Sequence, residues 1–462
     1  MKIQVENLGA IKNAKINLDK PLTLFCGQNN TGKTYLAYII YALTKVKVSK
    51  SPLKFNIPKL IENGFVELDL NIKELFEFKN RSIDQIKLSL NTIFGISEDV
   101  ANQIFSDFSI TFDVDIDNFS TKVTNIEFNE SLDVIEHRLK ISKQVGSLSL
   151  KVDLVEGVDY NDLLNSEFMG IIISSIIANK VVYYPISNAV IFSVERNSIF
   201  TFSKELSLNR NLLIDQMQKL SKGDKINPFD MLMSSTNRYP IAISDGLSVS
   251  NDLQNIQKKN SEFYTFATEI EEELLNGTLI VTNKGEMQFS SNRNKGKKLP
   301  IHMSASIVKT LSSLVFYLKH IAEKSDLIII DEPEMNLHPD SQRILAKVFA
   351  KLLNQGFRLL ISTHSDYIIR EFNNMIMTSY DKPEIRKLAS KLGYNTDESI
   401  KPEQVGCYYF HFPKPNSRQL TVIELPVDET GFEIPSIDDT IEKQNQVAED
   451  LFYTLKYGKA DE

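Results

Sequence analysis

Gly27-Gln28-Asn29-Asn30-Thr31-Gly32-Lys33-Thr34 fills the pattern G-x-x-x-x-G-K-[ST] at every constrained position. The segment before it, Pro21 to Cys26, is a short apolar run suited to a buried strand. The segment after it, Tyr35 to Leu43, continues as a helix with an apolar face. Strand, glycine loop and helix in that order form an anion cradle. The glycines let the backbone of Gly27, Asn29, Asn30, Thr31 and Gly32 curl its N–H groups inward, and the helix start adds its positive dipole end. Lys33 then reaches the β- and γ-phosphates of a nucleoside triphosphate, and the Thr34 hydroxyl ligates Mg²⁺. A strand-to-helix turn that merely carries Lys-Thr is the competing reading. Composition alone produces the whole pattern in only roughly one or two such chains per hundred.

A second stretch, Ser325 to Glu334, sets four apolar residues before Asp331, Glu332, Pro333 and Glu334. Such a run reads as a central parallel strand, whose C-terminal end is where open α/β sheets hold ligands. Asp331 would hold Mg²⁺ and Glu332 would polarise the attacking water. A helix from Ser341 to Asn354 and a second apolar strand from Phe357 to Thr363 follow, and the strand ends on His364. There an imidazole can sense a γ-phosphate. An acidic pair at a strand end is often only a solvated edge, and a lone His after a strand is usually a loop residue. The ordered series is the stronger signal.

With these residues in place, the chain resembles the ABC-type ATPase heads of SMC, RecF and OLD-type proteins. Residues 332–339, Glu-Pro-Glu-Met-Asn-Leu-His-Pro, are especially similar to the OLD-like branch of bacterial AAA-labelled ATPases. The resemblance implies an α/β P-loop head with a mixed core sheet, an antiparallel β subdomain and an inserted helical arm. It also implies that two heads meet head to tail, each ATP lying between one phosphate loop and a serine motif of the other copy. Here that motif is Ser304 and Ser306, before a helix from Ile307 to Glu323. Alanine and serine stand where transporter cassettes have glycines. Hydroxyl and backbone donors at a helix start suit a phosphate, although Ser304 could simply cap the helix. In transporter cassettes the motif follows the loop far sooner; 269 residues separate Thr34 from Ser304. No heptads are sustained through that insertion.

The 462 residues exceed one ordinary core, and the balance of 42% hydrophobic with 24% charged residues is that of a soluble globular protein. Two cysteines, Cys26 and Cys407, make no disulfide framework and suit a reducing, cytoplasmic location. No signal peptide is expected, because the strand-like run starts at Lys2. Met169 to Ala178 is too short to cross a bilayer, so no membrane association is expected.

Within the insertion, helices are expected at Ile83 to Phe94 and Ser97 to Asp107. Alternation over Thr121 to Phe128, His137 to Ser142 and Ser147 to Leu154 predicts a β-meander. Val181 to Tyr184 and Ile191 to Val194 read as strands. The latter precedes Arg196, which by the resemblance approaches the nucleotide or a neighbouring carboxylate; otherwise it is a surface salt-bridger. Residues 203–275 read as helices broken around 222–228 and 237–240, and a hairpin turns at Asn283 to Gly285. Arg293, Lys295, Lys297 and Lys298 offer a DNA or RNA phosphate contact, or a solvated face. The net charge of −8 opposes a broadly basic surface. A helix from Lys382 to Leu392, strands at Gly406 to Phe412 and Gln419 to Leu425, and a last helix complete the pattern.

Three parts are expected: residues 1–200 as an ATPase lobe with the β subdomain, 201–275 as the arm, and 276–462 as the second lobe. No Toprim carboxylate set or HNH-like histidine pattern is present among the six scattered histidines. The resemblance therefore implies an ATP- and Mg²⁺-dependent ATPase, a homodimer or higher oligomer, serving as sensor and scaffold of an anti-phage defence system. Its effector, a nuclease, would be separately encoded. Alternatives are a RecF/SMC-like DNA-repair or DNA-clamping ATPase and a nucleotide-locked structural dimer. The carboxylate at Glu332 argues against the last.

Overall fold

The structure, a computed structural model, describes residues 1–46, 51–134, 137–155, 167–186, 188–202, 239–294, 297–414 and 417–458. Strands β1 (Lys2–Leu8), β2 (Ile11–Asn17) and β3 (Leu22–Gly27) come first. Next are β4 (Phe65–Asp69), β5 (Ser109–Phe112), β6 (Phe128–Val134), β7 (His137–Lys143), β8 (Ser149–Leu154) and β9 (Ala189–Phe192). Then come β10 (Gly277–Val281), β11 (Met287–Ser291), β12 (Lys298–Pro300), β13 (Leu327–Asp331), β14 (Arg358–Thr363), β15 (Val405–His411) and β16 (Leu420–Leu425).

Nine of these make one mixed sheet in the order β5-β1-β2-β16-β15-β3-β14-β13-β9. From β15 to β9 every pairing is parallel. All residues of β3, β13 and β14 are buried, because helices cover both faces there. Phe25 faces a core shared with Ile39 and Ile40 of the helix Lys33–Lys45. Leu24 and Cys26 face the opposite core, with Val315 of the helix Ser306–His320 and Phe349 of the helix Pro339–Asn354. The order sets β14 between the loop-bearing β3 and the acidic β13. Their registers bring Thr363 beside Cys26 and Asp331 beside Ser362, so three strand ends open on one edge. Strands β4-β8-β7-β6 form a separate antiparallel sheet, and β10-β11-β12 a small third one.

The α/β class, the mixed core sheet and the antiparallel subdomain thus match expectation. Several local readings do not. Val181 to Tyr184 is no strand: the helix Glu167–Tyr183 runs through it, burying Ile173, Ile177 and Val181 at four-residue spacing. Thr121 to Asn125 ends the helix Ile116–Asn125, which Asp115 caps by accepting from Asn118 N at 2.7 Å, so the meander starts only at Phe128. The helix expected from Ile83 begins earlier, at Ile72 behind the cap Asn71, and breaks at Ser89 before Leu90–Phe94. Strand β13 is interior but second from the edge, with only β9 beyond it. Of the expected arm, the helices Ile241–Asn251, Leu253–Ile256 and Tyr264–Leu275 are described; residues 203–238, with the first break, lie outside the described residues. No helix among the described residues is long and apolar enough to cross a membrane.

Candidate active site

The sharp turn out of β3 depends on glycine. Gly27 has φ +135°, and a Cβ there would come within 2.3 Å of the Phe410 carbonyl oxygen. Gly32 caps the helix Lys33–Lys45 at φ +80°, and Asn30 sits at φ +59°, where asparagine is tolerated. Within the loop, Thr31 Oγ1 donates to Gln28 O at 2.7 Å. The Lys33 ammonium donates to Gln28 O at 2.8 Å and Gly27 O at 3.2 Å. Burial pushes its pKa down, against the opposing charges of Glu332, Asp331 and Glu334.

The acidic strand meets this loop directly. Thr34 Oγ1 donates to Asp331 Oδ2 at 2.7 Å, and Ser362 Oγ donates to Asp331 Oδ1. Two hard oxygen donors side by side fit a divalent cation of the Mg²⁺ type. Among the described residues no group of three or more His, Cys, Asp or Glu could hold a metal. An ion at this pair would therefore complete its shell with waters and phosphate oxygens, as Mg²⁺ does.

Glu332 sits at φ +47°, its N–H donating to Ser362 O at 3.1 Å. Burial, followed by the Asp331 charge, raises its pKa. His364 Nε2 lies 3.7 Å from Glu332 Oε1. Burial, with Lys33 nearby, lowers the His364 pKa to about 4, so the contact at neutral pH is between imidazole and carboxylate, not an ion pair. A cavity of about 430 Å³ is bounded by Asn29 to Tyr35, Glu332 and His364.

The remaining expected residues stand apart from that cavity. Arg196 is buried and its guanidinium donates to main-chain carbonyls, those of Asp331 at 2.7 Å, Glu332 at 2.8 Å and Ser193 at 3.0 Å. It grips the backbone of the acidic turn, with the charges of Asp331, Glu334 and Glu332 close by. Ser304 is buried, with Oγ donating to Pro300 O at 3.3 Å. The helix cap is Ala305, not Ser304, and Ser306 is the exposed first helical residue.

Some residues of this region were not singled out by the sequence. Glu334 accepts from Thr363 Oγ1 at 2.9 Å and from His364 N at 2.6 Å, tying the loop after β13 to the one after β14. Its place as the second carboxylate after the strand was the available signal. Ser362 carried one too, as the hydroxyl level with Asp331. The walls formed by Gly9, Ala10, Tyr35 and Ile104 carried none, because only the sheet order brings the β1–β2 turn beside the loop.

A family model described as an AAA ATPase domain matches residues 1–369. The chain belongs to this AAA ATPase domain family. The match encloses the phosphate loop, Asp331, Glu332 and His364. Solved structures with similarity to the ATPase domain include an Smc head bound to the C-terminal winged-helix domain of ScpA, at 14% identity and TM-score 0.35, covering 93% of this chain and 98% of that one. An Smc head with extended coiled coil, bound to the C-terminal domain of ScpA from Pyrococcus furiosus, gives 12% identity and TM-score 0.35, covering 97% and 98%. The SMC head from Thermotoga maritima gives 9% and 0.32, covering 92% and 98%. At these scores the overlays carry no argument about function. No curated protein matches the chain.

Proposed function

We propose that this ATPase domain binds ATP on the phosphate loop and hydrolyses it, as sensor and scaffold of a bacterial anti-phage defence system that controls a separately encoded effector nuclease. The observation that carries the catalytic half is the 2.7 Å contact of Thr34 with Asp331, with Glu332 and His364 bordering the same cavity. Lys33 and the loop amides hold the phosphates, while Thr34 and Asp331 are placed to hold Mg²⁺. When bound, Mg²⁺ neutralises charge on the phosphate oxygens. Glu332, on the cavity wall and partly exposed, takes a proton from water. Neutral His364 donates to a phosphate oxygen, or exchanges a hydrogen bond with that water.

Ser304 and Ser306, outside their own chain's cavity, are read as the contribution to a second copy in a head-to-tail homodimer. The defence role is supported by the OLD-like stretch 332–339 alone. Exposed Arg293, Lys297 and Lys298 are the residues offered for DNA or RNA; Lys295 lies outside the described residues.

The test is phage challenge of cells carrying the protein with the products of its neighbouring genes. Protection lost with Lys33→Ala, and co-purification of a neighbouring nuclease, are expected. Protection that survives Lys33→Ala would end the sensor reading. Neighbouring recombination genes with DNA-stimulated turnover would favour the repair alternative.

A further inference from the structure

Among the described residues, the helix Pro435–Tyr457 packs against the rest of the protein only at its start. Ile434 is buried and Ile437 packs against the core that holds Phe372 and Phe432, but every residue from Glu442 to Gly458 is exposed. Among them are Val447 at 57%, Leu451 at 66%, Phe452 at 52% and Leu455 at 86% exposure. In proteins most of a helix's stability comes from packing an apolar face rather than from intrinsic propensity. Contiguous apolar surface of this kind marks an interaction site.

The spacing describes the missing neighbour. Ile437, Ile441, Gln444, Ala448, Leu451 and Leu455 recur at alternating four- and three-residue steps, the seam of a left-handed coiled coil. From Thr440 onward the positions flanking that seam are Thr440, Asn445, Val447, Phe452 and Thr454, none of them charged. Glu442, Lys443, Glu449, Asp450 and Lys456 all fall on the outer face. Charges beside a seam choose a different partner or forbid self-pairing, and here nothing repels an identical helix. Direction follows from Gln444. A parallel pair sets Gln444 against Gln444, where the amides satisfy each other, whereas an antiparallel pair sets it against Ala448 with its amide unpaired.

We propose that Pro435–Tyr457 pairs in parallel with the same helix of a second copy, along the two-fold axis of an isologous dimer that forms without nucleotide. This interface is separate from the ATP-bridged contact and does not rest on it.

Sedimentation of the full chain at about 10 μM without nucleotide, a concentration at which a micromolar association is largely formed, should show a dimer. The same dimer is expected with Lys33→Ala. Leu451→Glu with Leu455→Glu should weaken it at least about tenfold while nucleotide binding persists, since both positions are exposed in one copy. Leu455→Cys should form an intermolecular disulfide under mild oxidation, whereas the wild-type chain should not, because Cys26 and Cys407 are buried. A monomeric wild-type chain, a dimer indifferent to the double substitution, or no cross-link at position 455 would each overturn the proposal. A helix reserved for another protein would give the first and third of these.

Discussion

The phosphate loop and the serine-bearing segment are held in opposite ways by the same chain. Lys33 and Asp331 are buried, and hydroxyls of Thr34 and Ser362 join Asp331 to the loop and to β14. Around Ser304 and Ser306 the chain leaves Met303 64% exposed and Ser306 open to solvent. One region is completed by the sheet, because parallel order delivers three strand ends to one edge. The other is a helix start where Ser306 is exposed, while Ser304 is turned inward onto the Pro300 carbonyl. On the proposed reading, folding finishes one half of the site and assembly would supply the other.

The first way to break that contrast is to remove the water-activating group while leaving the finished half intact. Glu332→Gln should lower turnover by roughly 10²–10⁴-fold, the usual worth of a general base. Binding should persist, because Asp331, Thr34 and Lys33 are untouched. A steady-state ATPase assay with nucleotide titration separates the two. Wild-type turnover in Glu332→Gln would remove the base assignment.

Lys33→Ala strikes the finished half itself. Its ammonium lies among loop carbonyls at 2.8 and 3.2 Å, in the loop proposed to hold the phosphates. Loss of a buried charged partner costs about 2–5 kcal/mol, so affinity should fall at least about thirtyfold. Calorimetric titration with a non-hydrolysable ATP analogue reads this directly.

Mixing variants tests whether the halves belong to different copies. Ser306→Arg places a long cation on the exposed helix start and should weaken the proposed ATP-bridged dimer. Combined with Lys33→Ala, each mixed dimer holds one intact composite site and one doubly damaged site. Random exchange in equal mixture should restore about a quarter of wild-type turnover. Demonstrated exchange with zero activity at every ratio would sink independent composite sites.

A smaller effect is expected at Arg196, through geometry. Its guanidinium supports the carbonyls of both Asp331 and Glu332. Arg196→Ala removes charge-assisted hydrogen bonds worth about 1.5–3 kcal/mol each, although the Glu332 carbonyl keeps the Met335 N–H at 3.2 Å. Thermal stability should fall and turnover decline more than nucleotide affinity. Affinity falling as far as with Lys33→Ala would instead place Arg196 on the nucleotide.

What the sequence disclosed follows the same division. Gly27, Lys33, Thr34, Asp331 and Glu332 were legible because phosphate chemistry fixes residue types at fixed spacing. The hairpin at Asn283 to Gly285 was legible because its turn is local. Val181 to Tyr184 was not, since a short run of valine and tyrosine, buried up to Tyr183, looks alike in strand and helix until its neighbours are known. Asp115 before Phe119 and Val123 was a readable cap, masked by alternation in the residues that followed. Glu334 and Arg196 bind main chain made adjacent only by β9, β13 and β14, which no local pattern encodes.

The smallest expected effect is an inflection that stays missing. The ordinary histidine value is 6.5, whereas burial and Lys33 hold His364 at about 4. Between those values the unfolded chain binds a proton that the folded chain refuses. Folding stability from this group therefore falls as pH drops from 6.5 toward 4, and His364→Gln should soften that acid loss. Turnover is expected to behave differently. It should pass through pH 6.5 without an inflection and decline only where Glu332 takes up a proton, on an acid limb raised above the ordinary glutamate range by burial and Asp331. His364→Gln should lower the plateau yet leave that limb where it was. A limb that moves with His364→Gln would make the imidazole the titrating group, and Glu332 would lose its role as the base.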